Sequence, residues 1–318
     1  MKVLVIGLGA LGTAYSCFLS LAGHEVTGVG RPAILDKIRN NGVKVTGIWG
    51  EHSAKLSGMV SEVAELDRDQ FEMIIVTVKT FATEEIAKNI SHLVGDNTHV
   101  FLLQNGYGNF ESAANYISED RIILGRVIFG AELVAPGESI VTVIADDVVL
   151  GSPKNLIPHE FLDEYAGIFT KAGIPTKSSL EIMKYIWGKI IYNSALNSLG
   201  AIFEVSYGQL AEEPITRDLM NKIIEEIFNL FKARGIVTFW SDAQSYLENF
   251  YQNLIPPTSA HHASMLQDIQ SGRRTEIESL NGAVVKLAHE SGVSVPTNEI
   301  IVSMVKAKEH FNYRQRTC

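Results

Sequence analysis

The sequence predicts an α/β domain built on a parallel sheet, followed by an all-helical domain. The apolar run at residues 3–6 leads through three glycines into a helix-compatible stretch at 10–22, which is the order strand, turn, helix. Short β-rich runs and helical stretches then alternate as far as Ser178, and long helical patterns occupy the rest of the chain. We therefore expect two domains, at 1–178 and 179–318.

The period of the apolar residues predicts the individual elements. Near-continuous apolar runs are typical of parallel strands buried on both faces, whereas apolar residues three or four positions apart indicate helices. In the first domain these patterns predict a hairpin within 127–150 that adds to the same sheet, strands at 72–78 and 99–103, and helices at 82–93 and 158–171. In the second domain they predict helices at 187–201, 214–234, 241–254, 259–289 and 298–310.

Composition and charge argue against several classes of protein. The 318 residues carry a formal net charge of −9, which disfavours nucleic acid or an anionic membrane as the main partner. Cys17 and Cys318 are too few and too far apart for a disulfide framework or a zinc site. The adjacent His261 and His262 diverge on a helix, so we expect no metal. No apolar run approaches the roughly 18 residues of a membrane span, and no signal-peptide pattern follows the first strand, so we expect a cytoplasmic protein.

The glycines of the first turn predict a dinucleotide-binding site. Gly7, Gly9 and Gly12 have the spacing G-x-G-x-x-G between a strand and a helix. In that setting Gly7 makes the turn, Gly9 lets the backbone approach a pyrophosphate, and Gly12 lets the helix pack on the strand. The N-terminus of the helix offers N–H groups and a partial positive charge to the phosphates.

Arg31 indicates which dinucleotide binds. An NAD site would place Asp or Glu at the end of the second strand, where it accepts a hydrogen bond from the ribose 2′-OH. Residues 28–31 read Gly-Val-Gly-Arg instead, with no carboxylate. A guanidinium suits a 2′-phosphate, so we predict NADP(H). The alternative is an ordinary surface arginine at the end of a strand.

A polar stripe on an otherwise apolar helix is the main candidate for chemistry in the second domain. Lys189, Asn193 and Asn197 are four residues apart and therefore share one face. A solvated face would more often use Glu, Lys and Gln, which form helices better than Asn does. We interpret the stripe as the lining of a polar cleft between the domains, in which Lys189 protonates or neutralises a developing alkoxide. An ordinary exposed stripe is the alternative.

A second constellation runs from Ser264 to Glu276. In an unbroken helix with a rise of about 1.5 Å per residue, these two side chains would lie about 18 Å apart and would not share a small substrate. Gly272 is the expected interruption, because a turn there lets both side chains point into one site. Glu276 is then a partner for Lys189 or for a substrate hydroxyl, although most glutamates are simply exposed.

Two further polar residues, Lys79 and Asn105, each follow a predicted parallel strand, and Gly106 comes directly after Asn105. In doubly wound sheets, ligands bind at the carboxyl ends of the strands. We therefore expect these residues to outline one crevice with the glycine turn. Taken singly, each is a common turn residue.

Together these residues resemble the ketopantoate reductase (2-dehydropantoate 2-reductase) family almost from end to end. The resemblance rests on GLGALG, GVGR, TVKT, LQNGYGN, WGKIIYNSALN and SMLQDIQSGRRTEIESLNG. It implies a Rossmann-type N-terminal domain and an all-α C-terminal domain like that of 6-phosphogluconate dehydrogenase. It also implies an NADP-dependent oxidoreductase that reduces ketopantoate to pantoate for pantothenate synthesis.

The same resemblance implies roles for individual residues. Lys189 is implied as the catalytic acid, with Glu276 as its partner and as a substrate ligand. Asn193, Asn197 and Ser264 are implied as substrate contacts. The implied cofactor contacts are Gly7, Leu8, Gly9, Ala10, Leu11, Gly12, Arg31, Lys79, Asn105 and Ala131.

Three positions depart from the family pattern. Tyr207 stands where the best-matched members carry a substrate-contacting asparagine, and His261 and Ala263 replace polar residues just before Ser264. Tyr207 favours one alternative, a reductase of the same build that acts on another branched 2-oxo or 3-hydroxy acid, whereas the intact pair of Lys189 and Glu276 argues against it. A non-catalytic NADP-binding regulatory protein is the second alternative, but it predicts the loss of a catalytic residue, and none is lost. We expect a small-molecule 2-oxo acid as the partner, and apolar faces on the helical domain favour a homodimer.

Overall fold

The computed structural model of the protein describes residues 1–68 and 70–317, so Cys318 lies outside it. The chain divides into two compact units, Met1–Ile182 and a second that begins at Met183. The domain division at 178/179 stays a prediction. Within the described residues, none of the helices combines the length and the apolar content that a membrane-spanning helix requires.

Two sheets make up the β structure of the first unit. The strands are β1 (Lys2–Ile6), β2 (Glu25–Val29), β3 (Val43–Gly47), β4 (His52–Ala54), β5 (Gly58–Val60), β6 (Met73–Val76), β7 (His99–Leu102), β8 (Ile122–Arg126), β9 (Phe129–Ala135), β10 (Glu138–Ile144), β11 (Val148–Gly151) and β12 (Thr176–Ser178). Eight of them form the main sheet, in the order β12-β11-β8-β7-β6-β1-β2-β5. Its pairings are parallel except between β8 and β11. β6 is buried along its whole length, as its apolar run predicts.

The first helix lies between the two sheets. The helices of this unit are α1 (Ala10–Leu21), α2 (Pro32–Asn41), α3 (Thr83–Ile90), α4 (Asn109–Ala114) and α5 (His159–Lys171). α1 contacts β1 and β2 of the main sheet, and also β3, β4, β9 and β10. The eight consecutive residues from Gly12 to Leu19 are all buried. A helix that is buried all round needs cover on two sides, and the second sheet supplies the second side.

The predicted hairpin forms, but its predicted place is wrong. β9 and β10 pair in antiparallel register around a turn in which Gly137 has φ +80°. They do not add to the main sheet. Instead β10 pairs with β3 in a separate four-stranded sheet, β4-β3-β10-β9. Aromatic packing explains this placement, because the Phe129 ring lies 6.2 Å from that of Tyr15 on α1 and 4.6 Å from that of Trp49.

The second unit is helical, so the predicted fold class is confirmed. Its helices are α6 (Ile182–Phe203), α7 (Tyr207–Glu212), α8 (Pro214–Arg234), α9 (Ala243–Asn249), α10 (Ser264–Gln270), α11 (Asn281–Glu290) and α12 (Pro296–Thr317). α8 has the predicted bounds, and α9 continues into a π-helical turn, Phe250–Leu254. The sequence did not predict α2, α4 or α7. The stretch 259–289 is interrupted as expected, because α10 ends at Gln270 and Gly272 has φ +67°.

Candidate active site

The glycine turn has the shape that the spacing predicts. Gly7 has φ +95°, and a Cβ there would lie 2.8 Å from Val78 Cγ1. At Gly12 a Cβ would lie 1.9 Å from the Gly7 carbonyl oxygen, so only glycine lets α1 pack this close. At Gly9 a Cβ would meet no atom within 4 Å. The turn is therefore tight on its protein side and open at Gly9, where a pyrophosphate would approach.

The start of α1 fits a dinucleotide. Gly9 is its N-cap, and the first turn, which contains Ala10 and Leu11, carries no acidic residue to repel a phosphate. Beneath the turn Leu8 is buried in the core. Thr77, just past β6, donates its hydroxyl to the Gly7 carbonyl at 2.6 Å and so fixes the turn to the neighbouring strand. These features hold the backbone N–H groups in place for an anion.

Arg31 lies next to this turn along the backbone. The Gly7 N–H donates to the Val29 carbonyl at 3.2 Å, and Val29 ends β2 two residues before Arg31. Arg31 is exposed and is the N-cap of α2, whose first turn also contains no carboxylate. A positive side chain is therefore available where an NAD site would carry an acid.

The loops that follow β6 and β7 come next to the glycine turn, because β6 lies next to β1 and β7 next to β6 in the main sheet. Lys79 follows β6 and Asn105 follows β7, and both are half-buried. Thr80 donates its hydroxyl to the Asn105 carbonyl at 2.5 Å, which joins the two loops. Because β7, β6, β1 and β2 are consecutive in the sheet, the loops after them form one row at its carboxyl edge.

A buried relay of hydrogen bonds sets the Asn105 loop. The Gln104 amide donates to the Thr83 hydroxyl at 2.9 Å, and that hydroxyl donates to Asn109 Oδ1 at 2.7 Å. Asn109 in turn donates to the carbonyl oxygens of Asn105, at 3.1 Å, and Gly106, at 3.3 Å. The sequence did not predict these residues, because nothing in their spacing shows that they meet.

Ala131 occupies a different element from the other predicted cofactor contacts. It lies on β9 of the second sheet, opposite Val141, and packs against the core around α1. It is half-buried. No pattern of spacing connects this position with the strand-end loops.

In the second unit, α6 carries the polar stripe. Lys189 is half-buried, while Asn193 is 8% exposed and Asn197 5% exposed. This burial contradicts the alternative of an ordinary solvated stripe for the two asparagines. The two asparagines therefore form a mostly buried polar face on a helix whose other neighbours are apolar, as the interpretation of a polar lining requires.

The structure brings Asn197 and Ser264 together. Asn197 Oδ1 accepts from the Met265 N–H at 3.1 Å, and Asn197 Nδ2 donates to Ser264 Oγ at 3.3 Å. Asn197 therefore satisfies a backbone donor at the start of α10 and orients the serine hydroxyl. Residues 67 positions apart in the chain meet here.

Glu276 follows the break at Gly272. It is half-buried and directly precedes the 3₁₀ turn Ile277–Ser279. Its backbone carbonyl accepts a hydrogen bond from the Ser279 hydroxyl at 2.9 Å. Because the helix is broken at Gly272, the separation of about 18 Å that a straight helix would impose between Ser264 and Glu276 does not apply.

A buried network of amide side chains connects α6 to other helices of the second unit. Asn281, at the start of α11, donates to the Ser194 carbonyl at 3.1 Å and to Asn298 Oδ1 at 3.0 Å. Asn298 Nδ2 donates to Glu226 Oε2 at 2.8 Å, and the same carboxylate accepts from the N–H groups of Thr297 and Asn298 at the start of α12. The network links α6, α8, α11 and α12.

Tyr207 is a core residue at the departure from the family pattern. It is 3% exposed, its ring lies 5.9 Å from that of Tyr192 and 5.3 Å from that of His261, and both contacts are edge-to-face. Burial raises the pKa of its phenol well above the usual value, so the hydroxyl of Tyr207 stays protonated.

Comparisons with known proteins identify the family of the chain. Residues 3–155 match the family described as Ketopantoate reductase PanE/ApbA, and residues 181–309 match its C-terminal domain. The chain is 48% identical to the 2-dehydropantoate 2-reductase of Aquifex aeolicus, with 99% of each chain covered. It is 28% identical to that of Pyrococcus abyssi, with 97% of this chain and 98% of the relative covered.

Solved structures share the fold. The ketopantoate reductase of Ralstonia eutropha superposes with a TM-score of 0.86 at 25% identity, covering 98% of this chain and 99% of that one. A D-mandelate dehydrogenase with NADH and anilino(oxo)acetate superposes with a TM-score of 0.87 at 24% identity over the same shares of the two chains. Given the match over both parts of the chain and the close relative from Aquifex aeolicus, the protein belongs to the ketopantoate reductase family.

Proposed function

We propose that this chain reduces the 2-oxo group of ketopantoate to the hydroxyl of pantoate, with NADPH as the reductant, in pantothenate synthesis. The observation that carries the proposal is the buried polar face of α6, where Asn193 is 8% exposed and Asn197, 5% exposed, donates to Ser264 Oγ at 3.3 Å. The glycine turn of the first unit supplies a matching dinucleotide site. The relative from Aquifex aeolicus, at 48% identity, is a 2-dehydropantoate 2-reductase.

In this proposal the first unit holds the cofactor. NADPH supplies the hydride when bound. The backbone from Gly7 to Gly12, including Leu8, Ala10 and Leu11, binds the pyrophosphate, and Arg31 pairs with the 2′-phosphate. Lys79 and Asn105, whose loops are joined through Thr80, complete the contacts at the carboxyl edge of the main sheet. Ala131, on β9 of the second sheet, is a further proposed cofactor contact.

The second unit binds and protonates the substrate. The Lys189 ammonium stabilises the negative charge that develops on the carbonyl oxygen and donates a proton to it. Asn193, Asn197 and Ser264 offer amide and hydroxyl donors to the substrate carboxylate and hydroxyl. Glu276 orients Lys189 and accepts from the substrate hydroxyl.

The test is initial rates of NADPH oxidation with ketopantoate, its deoxy analogue and pyruvate. Ketopantoate is expected to react best, because a site built to pair the substrate hydroxyl leaves its own polar groups unpaired with an analogue that lacks it. Lys189→Ala is expected to lower kcat about a hundredfold or more and to leave NADPH affinity nearly unchanged. Wild-type turnover in this variant would refute the role of Lys189.

One observation favours a second candidate, a reductase of another branched 2-oxo acid. Tyr207 brings a bulky phenol, packed against Tyr192 and His261, to a position where the family pattern has an asparagine. The same panel of 2-oxo acids decides between the two substrates. No turnover of ketopantoate, together with rapid turnover of another branched acid, would support this second candidate.

We propose a cytoplasmic homodimer with the domain division 1–178 and 179–318. Exposed apolar side chains of α12, among them Ile300 and Met304, support an interface between copies. Light scattering of the full chain tests the oligomeric state.

A further inference from the structure

The segment that carries Glu276 is bonded to the middle of α12. Thr275 is 1% exposed, and its N–H donates to Glu309 Oε1 at 2.7 Å. On the other side of Glu276, Lys306 of the same helix forms an ion pair with Glu278. Contacts from one helix therefore flank Glu276 on both sides.

These two contacts differ in strength for a physical reason. Residues 271–274 are exposed, so Thr275 is the first buried residue after α10, and its N–H has no access to bulk water. A carboxylate acceptor gives that N–H a short, charge-assisted hydrogen bond. The Lys306 and Glu278 side chains are 49% and 48% exposed, and an ion pair at such a surface contributes little.

α12 is itself bonded to the helix that carries Lys189. Lys308 donates to the Ile202 carbonyl at 2.8 Å and forms an ion pair with Glu204 at 2.7 Å, at the C-terminal end of α6. Because Lys308 and Glu309 are adjacent, the same turn of α12 contacts both the end of α6 and the Glu276 segment.

We propose that Glu309 is a positioning residue for the reaction: its carboxylate holds the Thr275 N–H and thereby sets the place of the Glu276 side chain relative to α6. The proposal rests on the role proposed above for Glu276. Glu309 accepts from a backbone N–H, so its effect on Glu276 is transmitted through the turn that Glu276 begins.

The experiment compares Glu309→Ala, Glu309→Gln and Lys306→Ala in the full-length protein. Steady-state rates give kcat and KM for ketopantoate, nicotinamide fluorescence gives NADPH affinity, and thermal unfolding gives Tm. Glu309→Ala leaves a buried donor unpaired, so kcat/KM for ketopantoate is expected to fall about tenfold to a hundredfold while NADPH affinity stays unchanged. Glu309→Gln keeps a carbonyl acceptor and is expected to recover most of the loss. Lys306→Ala, which removes the exposed pair, is expected to match the wild type.

Two results would overturn the positioning role. The first is a Glu309→Ala enzyme that is as active as Lys306→Ala. The second is a parallel fall of NADPH affinity, kcat and Tm that Glu309→Gln does not reverse, which would indicate general loss of structure. Glu276→Gln, measured in the same series, separates the two proposals. If it keeps wild-type kcat, the role of Glu276 is wrong and that of Glu309 falls with it. If Glu276→Gln is impaired and Glu309→Ala is not, only the positioning role is overturned.

Discussion

A methyl group at Gly9 is expected to weaken cofactor binding without disturbing the fold. Gly9 has φ −79° and ψ −161°, an extended conformation that alanine adopts readily. A Cβ there meets no atom within 4 Å. Gly9→Ala is therefore expected to leave stability unchanged or to raise it by about 0.4–1 kcal/mol, because alanine restricts the unfolded chain. The new methyl nevertheless occupies the open side of the turn, where we propose that the pyrophosphate lies.

The size of the effect follows from the bonds that the methyl would displace. A hydrogen bond between a backbone N–H and a charged phosphate contributes about 1.5–3 kcal/mol. Losing one such bond is expected to weaken NADPH binding about tenfold to a hundredfold. Gly12→Ala should behave differently, because its Cβ would lie 1.9 Å from the Gly7 carbonyl oxygen. That variant is expected to lose about 1–3 kcal/mol of stability or more, since α1 must move away from the turn.

Gly167 provides the matched control. It lies within α5, where a Cβ also meets nothing within 4 Å, so Gly167→Ala is expected to stabilise the protein by about 0.5–1 kcal/mol and to leave NADPH binding unchanged. Fluorescence titration with NADPH and thermal unfolding of the three variants form the assay. If Gly9→Ala binds NADPH as tightly as Gly167→Ala does, the proposed course of the pyrophosphate is wrong.

Three further predictions concern charge and pH. The wild type is expected to bind NADPH about tenfold to a hundredfold more tightly than NADH, measured as the ratio of the two Kd values, and Arg31→Ala is expected to remove most of this preference. Equal Kd values in the wild type would contradict the role of Arg31. Glu226→Ala removes the acceptor of the Thr297 and Asn298 N–H groups, and is expected to lower the free energy of unfolding by about 1–3 kcal/mol in urea titrations, without changing NADPH affinity. Burial lowers the pKa of His99 to about 4 from 6.5, so below pH 6.5 protons bind the unfolded chain preferentially and stability falls as the pH drops toward about 4. His99→Gln has no group that titrates here, so its free energy of unfolding is expected to fall less steeply than that of the wild type between pH 6.5 and about pH 4. Equal slopes for the two proteins would refute the lowered pKa of His99.

Local spacing determined much of the first unit and the helical content of the second. The strand–glycine–helix order at the start of the chain is set within a dozen residues, because turn, strand and helix preferences act between neighbours. The same is true of α8, whose bounds match the apolar period and whose end coincides with Gly235 in the left-handed region, at φ +66°. Gly272 likewise predicts the break in the stretch 259–289, where α10 ends at Gln270.

Only tertiary packing decided which distant elements meet. The sequence predicts that residues 127–150 turn back on themselves. Pairing with β3, and packing on the side of α1 that the main sheet leaves uncovered, decide that this hairpin covers α1 instead of extending the main sheet. The contacts of Asn197 with Ser264 and of Thr275 with Glu309 join residues 67 and 34 positions apart. Local sequence does not indicate which distant backbone group a polar side chain will bond. That pairing arises only when helices from separate parts of the chain pack together and bury both groups.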